Sequence, residues 1–127
     1  MYRADVTYIG NRSFSVKTKN ATFIIDADGK DGATPPDAFL ASLGSCIGVY
    51  IRKYAEGARL ALSRFDITVE GDLGKEPPFY FRQIKVDVNF QEPSGLDERR
   101  KNAMLEFVKN CPLHNTLKHA TEIDISI

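Results

Sequence analysis

The segment Thr34-Pro35-Pro36-Asp37-Ala38-Phe39-Leu40-Ala41-Ser42-Leu43-Gly44-Ser45-Cys46, continued by Ile47-Gly48-Val49-Tyr50-Ile51-Arg52-Lys53-Tyr54, decides the fold. It reads as the start and body of one long helix. Pro35 and Pro36 suit a first turn, where a missing N–H has no intrahelical partner to lose. Thr34 is placed to cap it, and Asp37 sets a negative charge near the positive end of the helix dipole. No charged residue falls between Ala38 and Ile51. Phe39, Leu43, Cys46, Tyr50 and Tyr54 form one stripe, and Leu40, Ile47, Ile51 and Ala55 a second. A helix apolar nearly all round is expected to be buried. Ser42, Gly44, Ser45 and Gly48 dilute it, and it is too short to read as a membrane span.

Two features of this helix call for a reason. Gly44 and Gly48, with Ala41 and Ser45, make a small-residue face, although each glycine costs about 1 kcal/mol relative to alanine. Close approach of another helix or backbone is the expected use. Cys46 sits among these small residues, where a cysteine commonly serves as a small buried hydrophobe.

The chain of 127 residues is expected to form one domain spanning 1–127, long enough for a real core. Its 17 basic and 17 acidic residues balance, which argues against a nucleic-acid binder. The same neutrality does nothing to discourage self-association. Met1-Tyr2-Arg3-Ala4-Asp5-Val6 lacks the apolar run of a signal peptide, so a cytoplasmic location is expected. There a cysteine pair is more often redox-active or metal-binding than a structural staple.

Along the chain, residues 2–9 alternate as a half-buried strand, with Tyr2, Ala4, Val6 and Tyr8 on one face. Gly10-Asn11 makes a hairpin turn into residues 13–17, and Phe23 and Ile25 mark a third strand. The polar loop Asp28-Gly29-Lys30-Asp31-Gly32 leads to the long helix, which is expected to stop near Glu56-Gly57 with Gly57 in the left-handed conformation. Phe65, Ile67 and Val69 mark a fourth strand, and residues 80–91 a fifth with Ile84, Val86, Val88 and Phe90 inward. Ser94-Gly95-Leu96-Asp97 resembles a capping box opening a second helix, with Leu96, Ala103, Met104, Phe107 and Val108 inward. Cys111-Pro112 opens a third helix to about His119, and Ile123, Ile125 and Ile127 alternate as a final strand. The order β-β-β-α-β-β-α-α-β predicts an α+β domain with a largely antiparallel sheet. So apolar a helix is hard to bury in a small monomer, which favours a dimer sharing it.

The second cysteine has an informative setting. With Pro112 at the first helical position, Cys111 becomes the N-cap. A thiol there faces free N–H groups and the positive dipole end, which favour the thiolate. Cys46 lies about three turns into its own helix, beyond that influence, and as a nucleophile it needs some other positive group. A metal site is the competing chemistry, since Cys46, Cys111, His114 and His119 supply two thiols and two imidazoles. The spacing is poor for zinc: there is no C-x-x-C and no H-x-x-x-H. His114 and His119 read as solvated or helix-terminal residues, and Arg52 and Lys53 as the point where the long helix leaves the core.

The helix motif Thr34 to Cys46, taken with Cys111-Pro112-Leu113-His114-Asn115-Thr116-Leu117, is similar to the OsmC/Ohr family of osmotically inducible and organic-hydroperoxide-resistance proteins. The resemblance covers nearly the whole chain and the order of its elements. It implies an intertwined homodimer with two long central helices wrapped by sheet, and active sites at the interface. It also implies a cysteine-dependent peroxidase that uses no haem, metal or flavin, with Cys46 as the peroxidatic and Cys111 as the resolving cysteine. A peroxidatic thiolate becomes a sulfenic acid, condenses with the second thiol to a disulfide, and is regenerated by an external dithiol. The apolar surround of Cys46 favours an organic hydroperoxide over hydrogen peroxide.

Family members with proven activity pair the thiol with an arginine and a glutamate. The glutamate directly follows the proline of the helix-opening motif. Here that position is Pro36, and the acidic residue is Asp37, about 100° further round the helix. Asp37 is therefore read either as the displaced carboxylate or as a charge favouring the helix end. Arg12, at the hairpin turn, is read either as the family's arginine or as a solvated turn residue. The reading is thus a thiol peroxidase with Cys46, Cys111, Arg12 and Asp37 as site residues. The alternatives are a non-catalytic small-molecule-binding protein on the same dimeric scaffold, favoured by Pro36, and a structural metal-binding module.

Overall fold

The computed structural model describes residues Met1–Ile127. The element order is β1 (Asp5–Gly10), β2 (Ser13–Lys17), β3 (Thr22–Asp26), α1 (Pro35–Gly57), β4 (Phe65–Leu73), β5 (Phe81–Phe90), α2 (Glu98–Val108) and α3 (Pro112–Lys118). The strands form two antiparallel sheets, one of order β1-β2-β3 and one of β4-β5. The fold is α+β, as expected. Two compact units divide the chain, Met1–Ala41 and Ser42–Ile127.

In the first unit, Val16 of the central strand pairs with Val6 on one side and Phe23 on the other, and it is buried. Gly10 and Asn11 take positive φ values of 113° and 49° at the hairpin, the conformation such a turn needs. The expected half-burial of the first strand is not found. Val6 and Tyr8 are each 61% exposed; they lie on β1, an edge strand with a neighbour on one side only, while Val16 on the central strand is buried. Beyond β3, Asp26 organises the loop toward α1. Its carboxylate accepts hydrogen bonds from the N–H groups of Asp28 (2.9 Å) and Asp31 (3.1 Å). These donors hold its pKa below the usual value. The loop then returns along β3, with Asp26 N–H bonded to Ala33 O at 3.0 Å. A Cβ on Gly32 would stand 2.2 Å from the carbonyl oxygen of Ile24, so only glycine fits that close approach.

Helix α1 starts where the two prolines place it, and Thr34 caps it: its hydroxyl donates to Asp37 Oδ2 at 2.8 Å and accepts from Asp37 N–H at 3.3 Å. In the second unit, Leu43, Ile47, Ile51 and Ala55 of α1 are buried with Leu62, Met104 and Cys111. Within one chain this burial is one-sided, contrary to the reading of a helix buried all round: Phe39 is 41% and Val49 52% exposed. Gly57 is not the left-handed residue. Arg59 is, at φ 55°. Leu60 N–H bonds Ala55 O and Arg59 N–H bonds Glu56 O, the paired bonds that close a Schellman cap two residues later than expected. Arg52 then ties the following connection to α1, donating to Leu62 O at 3.1 Å.

The paired strands β4 and β5 turn Ile67, Val69, Ile84, Val86, Val88 and Phe90 toward this core, as their alternation predicts. Three other expectations are corrected. Asp97 caps α2, accepting from Arg100 N–H at 2.8 Å. Ser94 does not, because Gly95 at φ 76° cannot open a helix; Ser94 is buried and bonded to Glu92 instead. Ala103 faces solvent, leaving Met104 as the buried residue of α2. Residues 120–127 form no strand: Ile123, Ile125 and Ile127 alternate but meet no partner strand and are exposed.

The small-residue face of α1 does permit close approach, but of a sheet face rather than a helix or backbone. A Cβ on Gly44 would lie 2.8 Å from Val69 Cγ2, and one on Gly48 3.3 Å from Ile67 Cδ1. Val69 is β-branched, so that methyl cannot swing away without moving β4. By contrast, a Cβ on Gly57 meets nothing within 4 Å. Gly44→Ala is therefore expected to lose about 1 kcal/mol net, overpacking exceeding the helix-propensity gain. Gly57→Ala is expected to gain about 0.5 kcal/mol. Thermal melts of the two variants, moving in opposite directions by a few degrees, are the check; a rise in Tm for both would refute the close packing on β4.

Candidate active site

The site assembles on two helices of the second unit. Cys46 lies on α1, and Cys111 stands immediately before Pro112 at the head of α3. The sequence brings Cys111 there for a local reason. Pro112 fits the first helical position, and the Cys111 sulfur takes the capping role, accepting from His114 N–H at 3.5 Å. The Cys111 carbonyl accepts the first helical bond, from Asn115 N–H at 3.0 Å. Burial then fixes the cap, since Cys111 is 0% exposed and part of the core.

Burial of Cys111 in the core with Leu43, Ile47 and Ile51 of α1 accompanies a sulfur–sulfur distance of 2.6 Å to Cys46. The two cysteines of the chain, 65 residues apart in sequence, thus meet as free thiols in direct contact. Cys46 is only partly buried, and Tyr50 and Tyr54 continue its stripe against the core. Phe107 of α2 holds these rings at centroid distances of 6.0 Å and 5.8 Å.

The electrostatics of Cys46 run against ionisation. Burial pushes its thiol above the ordinary range, and the Cys111 thiol adds to this through its hydrogen bond and charge. The N–H of Leu113 and the charge of Lys53 pull the other way. Nothing in the sequence of α1 announced these two counterweights. Lys53 reads there as a residue leaving the core, and Leu113 acts through its backbone.

The other two candidate residues lie in the first unit and have partners there. Arg12, at the hairpin, approaches Asp28 at 3.5 Å with its side chain 75% exposed. Asp37 is bonded to Thr34 at the head of α1. His114 differs from its reading as a solvated residue: its Nδ1 is buried without a hydrogen-bond partner. His119 Nδ1 is exposed and 2.7 Å from Asn115 O. No group of three or more His, Cys, Asp or Glu converges as a metal-ligand set. No helix is long and apolar enough to cross a membrane.

Comparison with known proteins gives the family and the fold. Residues 27–126 match the family described as OsmC-like protein. A hydroperoxide reductase of Mycoplasma genitalium is 27% identical over 130 residues, covering 97% of this chain and 92% of that protein. The crystal structure of an OsmC-like protein from Mycoplasma pneumoniae superposes with a TM-score of 0.83 at 22% identity, covering 93% of this chain and 87% of that one. An organic hydroperoxide resistance protein of Bacillus subtilis does so with a TM-score of 0.65 at 20% identity, covering 91% and 90%. At these identities the two structures establish a shared fold.

A thiol whose native pKa is raised holds its proton to higher pH than a free cysteine. Alkylation of Cys46 in the reduced protein, followed by peptide mass, is therefore expected to rise only above the ordinary thiol range of about 8.5. The same shift makes the native state resist deprotonation. Its contribution to stability is full below the unfolded thiol pKa and is lost as pH rises through the native one. A Cys46 alkylation midpoint near 7 would contradict this account of the site.

Proposed function

Because the chain belongs to the OsmC-like protein family, we propose that it is a thiol-dependent hydroperoxide reductase in which Cys46 is the peroxidatic and Cys111 the resolving cysteine. What supports the assignment is the direct contact of the two sulfurs, with one partly open and the other wholly buried. A peroxide arriving from solvent meets Cys46 first. The names of the Mycoplasma genitalium and Bacillus subtilis relatives point to the same class of reaction.

The steps balance with two thiols and one hydroperoxide. The Cys46 thiolate attacks the distal peroxide oxygen, the O–O bond breaks, and the alkoxide leaves with a proton as an alcohol. Cys46 is then a sulfenic acid. The Cys111 sulfur attacks it, water departs, and a Cys46–Cys111 disulfide forms. An external dithiol reduces that disulfide by two exchange steps. No further cofactor enters this scheme. The apolar stripe around Cys46 favours an organic hydroperoxide. Arg12 and Asp37 are proposed as polar support at the site of the assembled protein.

The assembled protein is proposed to be a homodimer. Val6 and Tyr8 on β1, Phe23 on β3, and Phe39 and Val49 on α1 are exposed apolar residues that a second copy would cover. Sedimentation of the purified protein is expected to return twice the chain mass; a monomer at micromolar concentration would sink the dimer.

One feature favours the second reading, a non-catalytic binding protein: Cys46 is partly buried against a second thiol, a setting that opposes charge on its sulfur. The deciding experiment adds one equivalent of cumene hydroperoxide to the reduced protein and reads thiols and intact mass. A peroxidase loses both thiols and about 2 Da, while Cys46→Ser loses neither. Cys111→Ser is expected to stop at the sulfenic acid, about 16 Da heavier. Survival of both thiols with the peroxide intact would overturn catalysis and leave the binding reading.

A further inference from the structure

A nucleophilic thiol has to ionise, yet burial and Cys111 both oppose charge on Cys46. The groups that act against them are the Leu113 N–H, from the first turn of α3, and the ammonium of Lys53. Lys53 is the only one with a full charge.

Its position follows from helix geometry. Lys53 stands seven residues beyond Cys46, a turn of about 700°, and so lies on nearly the same face, about 10.5 Å along the axis. Helical side chains lean toward the N-terminus, so the long lysine stem runs back toward the thiol. Tyr50, one turn after Cys46, lies between them. Lys53 Nζ is held over its ring at 4.6 Å from the centroid, a cation–π contact. Phe107 of α2 buttresses that ring at 6.0 Å. The cation is therefore docked partway along the stripe that carries the nucleophile, although its sequence position reads as solvent-facing.

Arg12 and Asp37, proposed above as polar support, belong to the first unit, where Arg12 approaches Asp28 at 3.5 Å and Asp37 is bonded to Thr34. From α3, Cys111 and the Leu113 N–H face the thiol, and His114 stands in the same first turn with its Nδ1 buried and its N–H bonded to the Cys111 sulfur. From α2, the residue packed on Tyr50 is Phe107, which is uncharged, while Lys109 is paired with Glu106 at 2.8 Å. Arg52, the neighbouring cation on α1, is turned to Leu62 O and Glu56.

Resting on the assignment of Cys46 as nucleophile, we propose that Lys53, docked on Tyr50, is a positioning residue whose charge supports the Cys46 thiolate. It supplies from the same helix a positive charge that the mid-helix cysteine cannot draw from its own dipole. It acts through solvent-exposed space, so salt weakens it.

The test measures the pH profile of Cys46 alkylation by iodoacetamide in the full-length reduced protein, read by peptide mass. Wild type is compared with Lys53→Arg, Lys53→Met and Lys53→Glu. Lys53→Arg is expected to keep the wild-type profile. Lys53→Met is expected to move it to higher pH and slow alkylation at pH 7 about threefold, and Lys53→Glu more. At about 1 M salt, where the screening length falls to about 3 Å, the four profiles are expected to converge. Tyr50→Leu, which removes the docking ring and keeps the charge, is expected to give part of the Lys53→Met shift. Coincident low-salt profiles for Lys53→Met, Lys53→Glu and wild type would overturn the proposal. Alkylation reads the thiolate without reference to peroxide, so the two readings fail separately. A Lys53-dependent profile in a protein that never consumes hydroperoxide would refute only the peroxidase; peroxide consumption with coincident profiles would refute only Lys53.

Discussion

Helix α1 lies against β4 more closely than side chains would normally allow, and the second unit is built on that contact. Gly44 leaves room for Val69 where a methyl group would collide, and Gly48 for Ile67 where one would fit only tightly. The two glycines lower the helix propensity of α1, and the loss is offset by the packing of Leu43, Ile47 and Ile51 that close approach permits. Cys46, two residues from each glycine, lies about 200° round the helix from them, and its sulfur meets Cys111 rather than β4. It is sunk far enough to meet Cys111 and remains open enough to be reached.

The opposing thiol is fixed by a different device. Cys111 caps α3 with its sulfur, and the proline behind it holds the backbone in the geometry a cap requires. A hydrogen bond within three residues thus orients one sulfur, while packing across 65 residues brings the other to it. Neither would suffice alone. A cap whose sulfur is not buried in the core is an isolated cysteine, and a helical cysteine without a partner is merely a small apolar side chain. Their conjunction sets this chain's chemistry apart from its architecture, and it gives the proposed peroxidase its two sulfurs.

Features governed by neighbours in sequence were legible in advance: the start of α1 at Pro35, the Cys111–Pro112 cap, the Gly10-Asn11 turn, and the inward row Ile84, Val86, Val88 and Phe90 of β5. Each rests on a single steric or hydrogen-bonding preference. Long-range features were not. Periodicity says that Gly44 faces something close, but not that it is a sheet. The cap of α2 moved from Ser94 to Asp97 because both residue types cap equally well and only the φ of Gly95 separates them. The isoleucine alternation at 123–127 is a strand pattern without a strand beside it. Lys53 is exposed, as its place at the end of the apolar run predicts, but its contact with the Tyr50 ring depends on the backward lean of a long side chain, which the sequence does not show.

The loop before α1 carries a consequence for acid tolerance. Asp26 gathers backbone donors from Asp28 and Asp31, and they hold its proton affinity low. The stabilising contribution of such a carboxylate is complete above the unfolded carboxylate pKa of about 3.9 and drains away only as pH falls through the lower native value. The approach to the long helix is therefore held by an anion that mild acid does not discharge. Its anchorage outlasts that of ordinary surface ion pairs, such as Arg12 with Asp28, whose attraction salt alone can screen.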